Sequence, residues 1–233
     1  MGVFLRSINS ILTDNLILCV DSANTKSYPG TGTAWNDLSG NNNNVTLVNG
    51  PTYSSNDGGY IDFDGTNDYI NANSALPDSF FQGNLTISLW VYFNTIDTDS
   101  QGQAIVHHGT NSNPNGFHIM QRLSKVRLDL WGPGLSSAST FSASTWYNLT
   151  FTLNNTTNAC AIYINGSLDA SDTLSASYTG SGNNCRIAGP IIEGGVYHDE
   201  LHARIAQVLC YDKILTAAEV LQNYNAHKGR FEA

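Results

Sequence analysis

Charged residues are scarce in this chain of 233 residues, and basic residues are the scarcer kind. Asp, Glu, Lys and Arg make up 12% of the sequence, with 10 basic against 19 acidic residues and a formal net charge of −9. A protein that neutralises a phosphate backbone needs a dense set of Lys and Arg, so the composition argues against nucleic-acid binding. It argues equally against docking on an anionic membrane, which also depends on clustered basic residues.

Long apolar runs are missing as well. No segment reaches the roughly 18 consecutive apolar residues that a membrane-spanning helix requires. Residues 1–21 lack the sustained apolar stretch and small-residue cleavage site of a secretion signal. We therefore expect synthesis in a reducing cytosol and no membrane partner.

Cysteine is also infrequent, and the four cysteines form no C-x-x-C pair and no zinc-type spacing. Three of them lie within apolar runs, which is typical of small buried hydrophobic residues. One or two disulfides remain an open alternative, because pairing cannot be deduced from these spacings. The four are Cys19, Cys160, Cys185 and Cys210.

In place of charge, the chain is rich in Asn, Ser, Thr and Gly, which favour turns and exposed strand faces. NLTISLWVYF at 84–93 alternates strictly and predicts a strand with one buried face. The pairs Asp64-Gly65 and Asn165-Gly166 predict hairpin turns. Short strands at intervals of about 8 to 12 residues indicate an all-β sandwich.

The sequence after the last strand predicts one short C-terminal helix. Thr216 stands at its N-cap with Glu219 three residues later, and Gly229 follows its end. The predicted fold class is therefore all-β, a two-sheet antiparallel jelly-roll sandwich with one short C-terminal helix.

The order of motifs resembles the laminin-G-like, or concanavalin A-like, jelly-roll family. The matching segments cover about residues 16–231: LILCVD, TAWNDLSGNNNNVTLVNGPTY, YIDFDGTNDYI, NLTISLWVYF, TWYNLTFTLNNTTNACAIYINGSLD and IAQVLCYDKILTAAEVLQNY. The resemblance implies a sandwich of that type over 16–233 that works by binding.

A narrower resemblance concerns tailed-bacteriophage virion proteins. The combination DSANTKSYPGTGTAWNDLSGNNNN, FDGTNDYI and EVLQNYNAHKGRF looks like the variant found there. It implies a virion structural protein, used for capsid decoration or as a fibre or tail module, with phage capsid or tail proteins as partners and a homo-oligomer on the particle. The alternative is a freestanding or accessory carbohydrate-binding or adhesion module of a bacterial protein.

The carboxylates do not form the pair that glycoside hydrolysis requires, an acid and a nucleophile or base flanking one bond. The chain has four Glu, and no strand carries a Glu-x-Asp-x-Glu pattern. Asp62 and Asp64 share a strand face but lie in a motif that is structural in the resembled family. We therefore expect no enzymatic activity.

The resemblance also implies a calcium site, without making a cofactor a requirement. Asp64, Asn67 and Asp68 of the DGTND turn are the candidate ligands, with Asp21 as a fourth, since calcium prefers oxygen ligands of this kind. The alternative is that Asp64 and Asp68 only form the turn through hydrogen bonds to its backbone. Bound calcium would make the melting temperature fall in EGTA.

A lectin-like site would stack one aromatic ring on a sugar and fix its hydroxyls with polar groups. Trp131 is the first candidate because the glycines and proline of 132–134 expose its surroundings. Trp35, Tyr92 and Tyr197 are the others, as residues of loops or outward strand faces. Host surface polysaccharide is the partner that such a site implies.

Residues 1–15 form a separate segment, predicted to be an arm that docks on a partner while 16–233 form the sandwich. Free apolar side chains on an arm could gain binding energy by ordering on a neighbour. The candidate docking residues are Val3, Phe4, Leu5, Ile8, Ile11 and Leu12.

Overall fold

Two antiparallel sheets that pack face to face account for all sixteen strands of the described residues. A computed structural model of the chain describes residues 10–110, 112–182, 184–189 and 200–231. The predicted all-β sandwich with one short C-terminal helix is confirmed.

The first sheet has the order β14-β13-β12-β7-β16-β5-β4, and β1 pairs with β16 beyond the end of β5. Its strands are β1 (Leu16–Asp21), β4 (Thr52–Ser54), β5 (Tyr60–Asp64), β7 (Asn84–Phe93), β12 (Trp146–Asn154), β13 (Ala159–Ile164), β14 (Ser167–Thr173) and β16 (His202–Tyr211).

The second sheet has the order β11-β10-β9-β8-β15-β6-β3-β2. Its strands are β2 (Ala34–Trp35), β3 (Val45–Val48), β6 (Tyr69–Asn71), β8 (Gln103–Gly109), β9 (Gly116–Arg122), β10 (Lys125–Asp129), β11 (Gly134–Ser136) and β15 (Arg186–Ile187). The α-helices are α1 (Asp78–Phe81) and α2 (Ala217–His227), and two short 3-10 helices cover Asn56–Gly58 and Lys228–Arg230.

The core lies between the sheets and follows the alternation of the strands. In β7 the predicted inward residues Leu85, Ile87, Leu89, Val91 and Phe93 are at most 1% exposed, and all belong to the main apolar cluster. In β9 the inward residues are Phe117 and Ile119. Successive side chains point to opposite faces of a strand, so the residues between them lie on the outside of each sheet.

Helix α2 covers the outer face of the first sheet. The predicted capping box is present, since Thr216 Oγ1 accepts the Glu219 amide hydrogen and the Glu219 side chain accepts that of Thr216. Val220 of α2 packs with Tyr211 and Leu215 over the sheet. The outer face of the first sheet is therefore used for internal packing.

Residues 11–12 belong to this packing and not to a free arm. Leu12 is 6% exposed, its amide donates to Asn223 Oδ1 of α2 at 2.8 Å, and its carbonyl accepts the Tyr211 hydroxyl at 3.0 Å. Ile11 packs against the same cluster. The predicted boundary at residue 15 is therefore too late: Leu12 is buried in the sandwich, and Ile11 is partly buried beside it. Val3, Phe4, Leu5 and Ile8 lie outside the described residues.

The two predicted hairpin turns have different outcomes. Asn165-Gly166 joins β13 to β14, and both residues have the positive φ of a tight hairpin turn. Asp64-Gly65 does not close a hairpin, because β5 lies in the first sheet and β6 in the second. The alternation on either side was a correct strand signal, but it carries no information about which sheet each strand joins.

The four cysteines are buried, as predicted for the three in apolar runs, and none of them forms a disulfide, which the sequence had left open. Burial raises the pKa of Cys19 to about 12 and that of Cys160 to about 11, so these thiols are poor nucleophiles at neutral pH. No helix among the described residues has the length and apolarity to cross a membrane.

Candidate functional site

A cavity of about 460 Å³ lies against the outer face of the second sheet. Its lining comes from alternate residues of two adjacent strands and from the loop that follows them. We call it the Trp131 pocket, after the aromatic residue in that loop. The lining residues are His118, Met120 and Arg122 of β9, Arg127 and Asp129 of β10, and Trp131 and Gly132.

The hairpin of β9 and β10 puts these side chains side by side. Asp129 pairs with His118, and Lys125 with Arg122, so the outward residues of both strands form two adjacent rows. The inward residues Val126 and Leu128 anchor β10 in the core. The burial of one face thus fixes which side chains the other face presents.

Asp129 organises the centre of the pocket. Its Oδ1 accepts hydrogen bonds from His118 Nδ1 at 3.3 Å and from the Trp131 amide at 3.0 Å. Its Oδ2 accepts one from Arg127 Nε at 3.0 Å. The carboxylate therefore holds one residue from each of the three segments around it.

These contacts also set the charge of Asp129. Burial by itself would raise the pKa of this carboxyl group, since Asp129 is 5% exposed. The hydrogen bond and charge of His118, then the Trp131 amide and the charge of Arg127, outweigh burial and lower the pKa below its ordinary value. Asp129 is therefore ionised at neutral pH.

The Trp131 ring is held at the rim of the pocket. Trp131 has φ 60, a left-handed conformation that is uncommon for a bulky side chain, and its hydrogen bond to Asp129 stabilises it. The ring stands edge-on to His118, with centroids 5.1 Å apart, and is half-buried. A fixed, partly exposed indole beside polar groups can stack on a sugar ring.

A glycine behind the pocket permits this close arrangement. A Cβ atom on Gly134 would collide with the side chains of Asp129 and Arg127. Arg127 also donates to Ser136 Oγ at 3.2 Å and to the Gly132 carbonyl at 3.3 Å. Its guanidinium is thus fixed by three acceptors.

The adjacent strand β8 carries two histidines with different roles. His107 faces outward and stacks on His118 with centroids 5.1 Å apart. His108 faces inward, where its ring nitrogens contact the Tyr178 hydroxyl at 2.6 Å and Asp78 Oδ1 at 3.0 Å. Both residues lie near the end of β8 and are buried.

Among the described aromatic residues that were predicted for sugar binding, Trp131 alone lines the pocket. Trp35 is 0% exposed and lies in the core, because β2 turns its ring inward, so it cannot meet a ligand. Tyr92 lies on the outer face of the first sheet, under the guanidinium of Arg204 at 4.5 Å. Tyr197 lies outside the described residues.

The residues predicted for calcium do not come together as one set. Asp21 and Asp64 pair with Gln207 and His202 of the same strand, which puts them roughly 16 Å apart along it. Asp21 instead accepts a hydrogen bond from Arg230 at 2.8 Å and one from Gln207 at 3.0 Å. Asp21 is therefore not a fourth ligand of the turn.

Within the DGTND turn, the carboxylates bind the local backbone. Asp64 Oδ1 accepts the Thr66 amide hydrogen at 2.8 Å, and Asp68 Oδ2 accepts that of Asp64 at 3.3 Å. The Asn67 carbonyl accepts a hydrogen bond from Asn49 at 2.7 Å. The part of the chain that the structure describes contains no group of three or more His, Cys, Asp or Glu arranged to hold a metal.

The pocket residues other than Trp131 were missed in the sequence. The signal was present in part, because Phe117, His118 and Ile119 alternate apolar with polar residues, as does KVRLD. What the alternation could not show is that the two strands are neighbours, so that Asp129 meets His118 and Arg127.

Comparison with known proteins identifies the family to which the fold belongs. The sequence profile of the concanavalin A-like lectin/glucanases superfamily matches residues 64–221, more than half of the chain. No curated protein matches the sequence.

Several solved structures share the fold at low sequence identity. A Trypanosoma rangeli sialidase complex is 13% identical with a TM-score of 0.69 and covers 95% of this chain, which spans 34% of the sialidase chain. A structure of botulinum neurotoxin type C, whose cell entry depends on interaction with two ganglioside molecules, is 16% identical with a TM-score of 0.68, with 92% of this chain and 52% of the toxin chain covered. Domain 4 of a Geobacillus stearothermophilus arabinanase, in complex with arabinotriose, is 16% identical with a TM-score of 0.67, with 90% of this chain and 98% of that domain covered.

Proposed function

This chain belongs to the concanavalin A-like lectin/glucanases superfamily, and from that premise we propose that it binds a glycan without cleaving it. The sugar occupies the Trp131 pocket. The observation that carries the proposal is the pocket itself, a cavity of about 460 Å³ with one fixed indole at its rim and several fixed polar groups inside. One aromatic surface and a few placed polar groups are what sugar recognition requires.

The roles of the two sheets support the choice of face. Helix α2 and residues 11–12 pack on the first sheet, whereas the cavity opens on the second. Among the described residues that line the pocket, Asp129 is the sole carboxylate, and it is held by three hydrogen bonds. A hydrolase would need a second carboxylate across the scissile bond, so we propose binding without turnover.

The test is a glycan array probed with the wild-type chain and with Trp131→Ala. We expect the variant to lose roughly five- to thirtyfold in affinity, because stacking of a sugar on an aromatic ring supplies on the order of 1–2 kcal/mol. Tyr92→Ala is the matched control, since it removes an aromatic ring from the outer face of the other sheet.

Loss of binding in Tyr92→Ala with full retention in Trp131→Ala would move the site to the first sheet. Absence of binding to every glycan on the array would reject the proposal. A thermal melt of each variant separates a lost contact from a lost fold.

We further propose that this module is displayed on a tailed-phage particle assembled in the host cytoplasm. The support is the resemblance of DSANTKSYPGTGTAWNDLSGNNNN and EVLQNYNAHKGRF to phage virion proteins. Such a display is compatible with adsorption to host surface polysaccharide. Mass spectrometry of purified particles tests it: many copies indicate capsid decoration, a few indicate a fibre or tail module, and absence favours the bacterial adhesion module.

A further inference from the structure

The Trp131 pocket contains more positive charge than its own carboxylate can balance. Arg122 and Arg127 both line it, although the chain as a whole has 10 basic residues and a net charge of −9. His118 adds a third nitrogen-bearing side chain. A concave site with an excess of one sign of charge concentrates the field of that sign at the ligand.

Asp129 accounts for Arg127 but not for Arg122. Arg127 Nε and Asp129 Oδ2 form an ion pair at 3.0 Å, in which the side chain of Arg127 is 23% exposed and the side chain of Asp129 is 7% exposed. The second oxygen of Asp129 is occupied by His118 and the Trp131 amide. Among the described residues, the carboxylate forms ion pairs with His118 and Arg127 and none with Arg122.

The guanidinium of Arg122 pairs with no carboxylate, hydrogen-bond acceptor or aromatic ring within the described part of the chain. It lies at the end of β9, half-buried, on the outward face that also carries His118 and Met120. Its backbone is fixed by the β9–β10 hairpin, where it pairs with Lys125. A partly desolvated guanidinium without a counter-ion is an uncompensated cost unless an anion binds there.

We propose that the ligand of the Trp131 pocket is an acidic glycan whose anionic group pairs with Arg122 while a sugar ring stacks on Trp131. The planar guanidinium suits a carboxylate or a sulfate, since it can donate two parallel hydrogen bonds to either. This inference rests on the proposed function and adds the chemical class of the sugar.

The experiment is a panel of paired glycans, each acidic member matched by its neutral counterpart. Carboxylated members carry uronic or sialic acids, sulfated members form a second arm, and carboxyl-reduced or desulfated forms are the controls. We expect binding to the acidic members of at least one arm, weakening as salt is added because the contact is ionic. The arm that binds identifies the anion.

Arg122→Gln should weaken binding to the acidic glycan by roughly tenfold or more, because a charge-assisted contact is lost. Arg122→Lys should retain part of the affinity that Arg122→Gln loses, since lysine keeps the positive charge but lacks the planar guanidinium. Lys26→Gln is the matched control, as it removes one positive charge from an exposed loop away from the pocket.

Each outcome is decisive. If neutral glycans bind as well as acidic ones and Arg122→Gln binds them normally, the inference is wrong while the glycan-binding function stands. If no member of the panel binds, the proposed function fails with it. A melting temperature of Arg122→Gln equal to that of the wild type shows that the change removed a contact and left the fold intact.

Discussion

At the scale of single residues, two buried aspartates show how the same side chain can stabilise or destabilise this protein. Asp129 is 5% exposed and is surrounded by donors, which lower its pKa. Asp97 is 9% exposed, and burial together with the nearby charge of Asp99 raises its pKa in spite of hydrogen bonds from backbone amides. The two carboxylates should therefore respond to pH in opposite directions.

Asp129→Asn should lower the free energy of unfolding by about 2 kcal/mol at neutral pH, since charge-assisted hydrogen bonds to a buried carboxylate are lost. A folded pKa below the unfolded one means that ionised Asp129 stabilises the fold above its ordinary pKa of 3.8 and that this stabilisation is lost as the pH falls through the folded pKa. Urea unfolding of variant and wild type across this range measures the effect, and the difference should shrink in acid.

Asp97→Asn is the control, because its effect on the free energy of unfolding should have the opposite sign. A folded pKa above the unfolded one means that ionisation of Asp97 costs stability at neutral pH, so the variant should be as stable as the wild type or more so. A destabilised Asp97→Asn together with an unaffected Asp129→Asn would contradict this account of the two sites.

At the scale of elements, the β9–β10 hairpin carries the pocket on a turn of unfavourable sequence. Leu123 and Ser124 connect the strands in two residues, with φ 52 and φ 58. Both are in the left-handed region, where a residue with a Cβ atom is disfavoured by about 1–2 kcal/mol. By contrast, the β13–β14 turn uses Asn165-Gly166, the favoured pair for this geometry.

The double change Leu123→Asn and Ser124→Gly should therefore stabilise the protein by about 1 kcal/mol. Leu123 is 53% exposed, so little apolar burial is lost. Calorimetry should show a higher melting temperature, with glycan affinity unchanged. The reciprocal change Asn165→Leu should lower the melting temperature. A lower melting temperature in both variants would argue against turn geometry as the cause.

At the scale of the whole molecule, the C-terminal segment completes the outer layer of the first sheet. The ring of Phe231 stacks on Trp90 with ring centroids 4.2 Å apart, and its centroid lies 4.7 Å from that of Trp146. Next to it, Arg230 pairs with Asp21 of β1 at 2.8 Å. The end of the described chain is thus fastened to strands distant from it in sequence.

Phe231→Ala should lower the free energy of unfolding by roughly 2 kcal/mol, somewhat less than for a fully buried Phe. The fluorescence of the protein should shift to longer wavelength, because Trp90 and Trp146 gain contact with water. Phe231→Leu keeps an apolar side chain over both rings and should lower the free energy of unfolding by less than Phe231→Ala does. An equal loss of stability in the two variants would contradict a stabilising contribution from apolar cover over these rings.

Much of the fold could be predicted from the sequence because its signals are local. The alternation of β7 follows from the two-residue period of a strand, and the capping box at Thr216 and Glu219 is contained within four residues. Trp131 was also found locally, from its glycine-rich surroundings. These features depend on neighbours in the chain, so the residues themselves determine them.

Tertiary structure decided everything that depends on which strands meet. The sequence could not show that β5 and β6 lie in different sheets, that β2 turns Trp35 into the core, or that α2 covers one outer face and leaves the pocket on the other. Nor could it show that Asp129 forms an ion pair with Arg127 and not with Arg122. The reason is physical: hydrophobic alternation specifies that a face is buried, but the partner that buries it, and the charges that the opposite face brings together, are fixed only by the pairing of the strands.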